Sequence, residues 1–132
     1  MTRAGARFAL CLAVAATLAA CGGVGTLKVT NVQTGRSLNS DNSVGTLGTT
    51  FKPNDTIYVS VLTDGSGSAT IGAKFSHLGR VVAEPEKKVS YRGAAATEFH
   101  LDYPGGSPTG EYDIEVLFNG QSAGMRKVRV EP

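Results

Sequence analysis

Few residues in this chain have types that can do chemistry, and most of them stand alone. Cys11 and Cys21 are the only thiols in its 132 residues, and His77 and His100 the only imidazoles. Cys21 follows Leu18-Ala19-Ala20 and precedes Gly22. Small side chains there leave the backbone open to a peptidase, and only a thiol can form a thioether. His100 lies two residues from both Glu98 and Asp102, so in an extended strand all three share a face. Such a polar row can hold a metal weakly or pass a proton, but a solvated face opposite Phe99 and Leu101 is the favoured reading. There is no Gly-x-Ser-x-Gly elbow, His-Glu-x-x-His pair or Walker loop. Gly65-Ser66-Gly67-Ser68 is short and follows a strand pattern with no helix after it, so it reads as a loop and not as a phosphate cradle. The sequence therefore offers no catalytic set and implies no cofactor.

The N-terminus has the parts of a secretory signal. Arg3 and Arg7 make it basic, and Phe8 to Leu18 is uncharged and apolar, far short of the ~20 residues a spanning helix needs. This predicts a helical signal peptide over residues 1–20. Leu18-Ala19-Ala20-Cys21 resembles the lipobox of bacterial lipoproteins at every position. The resemblance implies that a diacylglyceryl group joins the Cys21 thiol, that cleavage follows Ala20, and that the new amine is acylated, with palmitate among the chains. At about 0.8 kcal/mol per buried methylene, two or three chains anchor a protein effectively permanently. Gly22 stands where an Asp would, in enteric-type sorting, hold a lipoprotein in the inner membrane. By that analogy the expected location is the outer membrane, facing the periplasm.

Removing the leader changes the charge balance. The chain has 13 Lys and Arg against 11 Asp and Glu, and Arg3 and Arg7 leave with the signal, so the remainder balances at 11 against 11. No basic patch interleaved with aromatics is present, which argues against nucleic acid as a partner. Cys11 is lost and Cys21 is modified, so no thiol is left for a disulfide, and stability must come from the core. Residues 21–25 form the lipidated cysteine and a short tether, its four residues spanning at most about 14 Å. Residues 26–132 are long enough for one domain with one core.

Abundant glycine and recurring proline between short β-branched and aromatic runs predict an all-β domain. Strands are expected at Leu27–Val32, Thr56–Leu62, Ala69–Phe75, Val81–Glu84, Val89–Tyr91, Thr97–Leu101, Gly110–Phe118 and Gln121–Val130. Arg36–Pro53 reads as a long polar loop with a short edge strand near Val44–Leu47, and Asp64–Ser68 as a turn. In Gly110–Phe118, Tyr112, Ile114, Val116 and Phe118 share one face, and Glu111, Asp113 and Glu115 the other. Asn119-Gly120 predicts a hairpin. A two-residue turn aligns Tyr112 with Lys127 and turns Val128 and Val130 outward. A three-residue loop with Gly120 left-handed returns both valines to the core, worth roughly 3–6 kcal/mol. The longer loop with its bulge is therefore expected, with Arg126, Lys127 and Arg129 facing the acidic row. Tyr58 and Tyr91 are expected to pack in the core with wet hydroxyls, and Tyr103 to be available for contacts.

The stretch Leu101-Asp102-Tyr103-Pro104-Gly105-Gly106-Ser107-Pro108-Thr109-Gly110-Glu111-Tyr112 resembles the E–F corner of immunoglobulin-like and fibronectin type III-like sandwiches. The resemblance implies a single antiparallel β-sandwich of about seven short strands, with Gly110 and Tyr112 in the corner and the tyrosine hydroxyl bonded back to the backbone. It departs from antibody-type domains in lacking paired cysteines and any Trp. Phe51 to Val61 (Phe-x-Pro-x-Asp-x-Ile-Tyr-Val-Ser-Val) is similar to a segment of small bacterial lipoproteins. The expected function is a non-enzymatic binding or interaction module of the cell envelope, engaging a protein or glycan. A structural subunit of an envelope or secretion complex, or a periplasmic inhibitor of lysozyme or a protease, are the alternatives.

Overall fold

Alternating side chains decide where each strand lies. Ile57, Val59 and Val61 are fully buried, as are Ile71, Ala73 and Phe75, and Tyr112, Ile114 and Val116. Each trio occupies every second position of its strand, so each strand gives one face to a shared layer. The computed structural model describes residues 25–132, and the signal peptide at 1–20 and Cys21 lie outside them. The strands are β1 (Lys28–Gly35), β2 (Thr50–Phe51), β3 (Ile57–Asp64), β4 (Ser66–His77), β5 (Arg80–Ala83), β6 (Glu86–Arg92), β7 (Ala95–Leu101), β8 (Gly110–Phe118) and β9 (Gln121–Val130).

They build two sheets around one core. The smaller has the order β1-β3-β7; the larger runs β2-β9-β8-β4-β5, with β6 also paired to β4. β5 and β6 follow each other along the same side of β4, joined at Glu84-Pro85, where the Pro85 carbonyl accepts from Ala73 N at 3.0 Å. Splitting that edge in two, and the two-residue β2, bring the described strands to nine. β2 runs parallel to β9, the one parallel strand pair; the other named pairs are antiparallel. This is an all-β immunoglobulin-like sandwich.

Several expected boundaries move. Residues 66–68 extend β4 because Ser66, Gly67 and Ser68 pair with Arg92, Tyr91 and Ser90, which leaves a tight turn at Gly65. Val44–Leu47 is no strand; it makes single bridges to Leu38 and Gly35. The loop that carries it folds over the outer face of the small sheet, so Val44 and Ser60, which alternation would expose, are buried.

The last hairpin corrects the expected loop. Phe118 pairs with Gln121, so the turn has two residues, with φ of 51° at Asn119 and 84° at Gly120. Positive φ at both positions is what a type I′ turn requires, and Asn-Gly tolerates it. The bulge sits further along: Leu117 faces Ser122 and Val116 faces Gly124, leaving Ala123 as the extra residue. Tyr112 then pairs with Val128, and Val128 and Val130 are buried. The apolar reward for burying both valines was the right driving force; the twist-matched turn put the extra residue in β9 instead of the loop. β1 uses the same device: Thr30 is extra between Val29 and Asn31, which brings Leu27 and Val29 into phase with Val32 and Thr34.

The corner before β8 is closed by polar contacts. Tyr112 is fully buried and its hydroxyl donates to the Pro108 carbonyl at 2.7 Å. His77, opposite it on β4, donates from Nε2 to the Thr109 carbonyl at 2.9 Å and lies over the Tyr112 ring with centroids 4.5 Å apart. Gly110 between them has φ 121°, and a Cβ there would sit 3.2 Å from His77 Nε2.

Two outcomes follow. Deleting Ala123 turns the hairpin into a regular ladder that still sets Tyr112 opposite Val128, so both valines stay buried. The cooperative urea transition survives, and the change stays well below the roughly 3–6 kcal/mol that exposing them would cost; loss of the transition would overturn this register. Tyr112→Phe costs about 1–2 kcal/mol in the same experiment. Burial, then the nearby Tyr103, push the Tyr112 hydroxyl up to about 12 from its ordinary 10.0. A raised folded value means the contribution is complete below pH 10 and is lost as pH rises toward 12, at about 1.4 kcal/mol per pH unit. Tyr112→Phe lacks that alkaline slope; a variant retaining it would remove Tyr112 as its source.

Candidate functional site

The polar row on β7 lies on the outer face of the small sheet. Thr97, Phe99 and Leu101 point into the core, which turns Glu98 and His100 outward, opposite Ser60 and Tyr58 of β3. His100 Nδ1 lies 3.1 Å from Glu98 Oε1, and Lys87 of β6 donates to Glu98 Oε2 at 3.0 Å and to the Glu98 carbonyl at 2.6 Å. The ring of Tyr58 stands 5.9 Å from that of His100, so Tyr58 packs on the outer face and not in the core. Tyr91 packs against the core, with its hydroxyl 2.9 Å from Thr97 Oγ1.

Electrostatics here favour a fixed ion pair. Burial pushes the Glu98 carboxyl up, but the hydrogen bonds from His100 and Lys87, together with their charge, outweigh it and hold the carboxyl below its ordinary 4.5. Asp102 does not join them. It follows the last residue of β7 and, with His100 and Tyr103, lines a cleft of about 550 Å³ beside Val82 and Pro85. Among the described residues no group of three or more His, Cys, Asp or Glu could hold a metal ion. The expected row Glu98, His100 and Asp102 thus divides: the first two form a clasp with Lys87, and the third sits apart because the strand ends before it.

Lys87 is a cation that bridges one open side of the sandwich. On the other side, Arg126 of β9 donates from Nε to the Val32 carbonyl and from Nη2 to Asn31 Oδ1, both at 3.1 Å. Arg126 is thereby withdrawn from the acidic row of β8. Lys127 instead contacts Asp113 at 3.0 Å and Glu111 at 3.9 Å, Arg129 contacts Glu111 at 3.8 Å, and Lys74 contacts Glu115 at 3.4 Å. The pairs of Lys127 and Arg129 are exposed and water-screened, and Lys74–Glu115 is half-buried.

A larger groove, of about 780 Å³, opens near the start of the domain. Leu62, Ala94, Ala95 and Ala96 give it an apolar floor, with Tyr91 beside them. Asp41, Asn42 and Ser43 of the long loop form one wall, and Thr30 and Asp64 also line it. The wall is tied down from below: Ser60 Oγ donates to the Asn42 carbonyl at 2.7 Å, and Val44 N donates to Gln33 Oε1 at 3.1 Å. Asp41 Oδ1 accepts from Ser43 N at 3.0 Å and from the Ser43 hydroxyl, which holds the Asp41 carboxyl below its ordinary 3.8. Sequence reading missed this site. Its signals were three successive alanines leading into a strand, too small to fill the space, and a loop rich in Asn, Asp and Ser.

Two stacked sheets, the Tyr112 corner and the order of strands define the class as an immunoglobulin-like β-sandwich. No protein-family model and no curated protein matches the chain. Solved structures do: an immunoglobulin-like protein of Pseudomonas aeruginosa is 13% identical with a TM-score of 0.59, over 83% of this chain and 100% of that one. A β-glucosidase from Listeria innocua, solved in complex with glucose, is 14% identical with a TM-score of 0.53, over 77% of this chain but 16% of the enzyme. The same enzyme in a second structure matches with a TM-score of 0.52. At such identities the likeness is one of fold.

The clasp has a measurable signature. Lys87→Met lowers stability by about 1 kcal/mol, because the ammonium is half exposed and screened. A carboxyl held low in the folded state contributes stability above its ordinary value and loses it as pH falls through and below 4.5. Chemical denaturation between pH 6 and pH 3 shows a shallower acid loss in Glu98→Gln than in the wild type; equal slopes would assign the acid sensitivity elsewhere.

Proposed function

We propose that this chain is a bacterial envelope lipoprotein whose sandwich is a non-enzymatic recognition module held beside a membrane by lipid on Cys21. The observation that carries the reading is Leu18-Ala19-Ala20-Cys21-Gly22 behind a basic, apolar leader, with the first bridge of the sandwich only five residues past the cysteine, at Thr26. Two or three acyl chains would make the attachment permanent on the lifetime of the protein.

The arrangement of the turns supports a definite orientation. Gly25 accepts from Ser66 N, and Leu27 N donates to the Ser66 carbonyl, both at 3.0 Å, while Gly93 N donates to the Gly65 carbonyl at 2.8 Å. The turns at Gly65 and Gly93 thus gather where the tether enters. A tether of at most about 14 Å keeps that end near the headgroups and points the Tyr112 corner and the C-terminus away. Recognition is the favoured role because Glu98 and His100, the expected reactive pair, are engaged with Lys87 in a structural clasp, whereas the open features are grooves. The outer membrane, facing the periplasm, is the location that Gly22 favours.

Expression with labelled palmitate tests the anchor. The wild type takes up label and sediments with membranes, and Cys21→Ser is unlabelled and leaves the membrane fraction. A Cys21→Ser protein that stays labelled and membrane-bound overturns the reading.

A further inference from the structure

We propose that the groove walled by Asp41, Asn42 and Ser43 binds a neutral oligosaccharide, an inference that rests on reading the chain as a recognition module. Charge comes first. Two carboxylates, Asp41 and Asp64, line the groove, and neither a lysine nor an arginine does. That field repels phosphates, sulfates and acidic sugars. It suits hydroxyl groups, which can donate to a carboxylate and accept from an amide or another hydroxyl.

Shape and surface point the same way. A pyranose ring is polar around its edge and apolar on its faces. The groove has the matching division: Leu62, Ala94 and Ala96 with Tyr91 on the apolar side, and Asp41, Asn42, Ser43 and Thr30 on the polar one. Its 780 Å³ lies within the roughly 300–1,000 Å³ of small-ligand sites, room for more than one sugar unit.

The polar wall is set before any ligand arrives. Asn42 holds φ at 73° and its carbonyl is fixed by the buried Ser60 hydroxyl, while Ser43 takes one oxygen of Asp41 and leaves the second for a ligand. A wall already ordered loses little entropy on binding. Hydroxyl recognition by weak, water-competing hydrogen bonds depends on that saving.

The test titrates the purified full chain, in a detergent without a sugar headgroup, with the tetramers of N-acetylglucosamine, cellulose and maltose. Calorimetry and amide chemical shifts report binding. At least one tetramer binds saturably and moves the amides of Asn42, Ser43, Leu62 and Ala96. Asn42→Gly, which removes the side-chain amide and tolerates the positive φ, weakens that binding about tenfold, and Ala96→Glu, which fills the outward-facing floor, abolishes it. Both variants keep the wild-type unfolding midpoint, so loss of binding is not loss of fold. Absence of saturable binding by all three sugars overturns the proposal. So does binding that survives both substitutions, or saturable binding of a lysine-rich peptide in place of sugar. The mass of Cys21 in the same preparation reports separately on the anchor: a lipidated chain that ignores sugar sinks the groove alone, and an unmodified chain that binds sugar sinks the anchor alone.

Discussion

A two-layer sheet domain holds together only while every strand delivers its apolar residues to the plane between the layers. No cysteine lies beyond residue 21, so this domain has no covalent staple to supplement that plane. The strict period of two in a strand makes the demand severe, since one residue out of step turns a whole segment inside out. β1, β5 and β9 each arrive out of step with their partners, and each carries one extra residue: Thr30, Val82 and Ala123. The bulges are therefore the joints at which an imperfectly alternating sequence is brought back into one core. Val32, Val128 and Val130 are buried because of them.

Stacking two sheets leaves open sides, where strand edges face one another with unpaired backbone groups. Here long cations bridge both sides, with Arg36 after β1 adding a bond to the Thr50 carbonyl of β2 at 3.2 Å. Lys87 crosses from β6 to the Glu98 carbonyl, and Arg126 crosses from β9 to the Val32 carbonyl. Each caps an acceptor that another chain would need in order to add a strand. Each also ties the two sheets together across an open side. The arrangement explains why Glu98 and His100, the most reactive-looking pair in the sequence, form a clasp: the carboxylate holds Lys87 in place, and the imidazole completes its coordination.

Much of the fold was legible because local rules and burial agreed. Ile57–Val61, Ala69–Phe75 and Tyr112–Val116 alternate cleanly, Asn119-Gly120 announces a turn, and Gly110-x-Tyr112 announces the corner. What escaped notice depended on contacts distant in sequence. The Ser66–Ser68 stretch looks like a flexible loop until β6 pairs with it. Ser60 looks exposed until the loop around Asn42 lies on it. Arg126 looks like a partner for acidic neighbours until β1 is beside it. The hairpin is the instructive case, because burial of Val128 and Val130 was the right criterion while the place of the extra residue was set by strand twist. The groove was illegible for a related reason: an alanine run marks missing volume only when the surrounding walls are known.

The bulge at Thr30 links the core problem to the groove. Had β1 kept a regular ladder, Thr30 would be an ordinary paired residue in a continuous sheet surface. As the extra residue it is pushed out beside Leu62, whose carbonyl accepts its hydroxyl at 3.2 Å, and it becomes part of the groove's rim. Across the floor, Ala94–Ala96 leave space where larger side chains would close the end of the sandwich. The loop over Ser60 then makes a wall of what is left. The same accommodation that lets an unstapled chain bury one continuous core thus opens a polar-rimmed hollow on its outside, close to the point where the tether enters. Removing Thr30 would leave Val29 opposite Thr63 and Asn31 opposite Leu62 in a regular ladder. It would take away part of the hollow's rim and keep the core in phase, much as filling the hollow at Ala96 touches only the outer face.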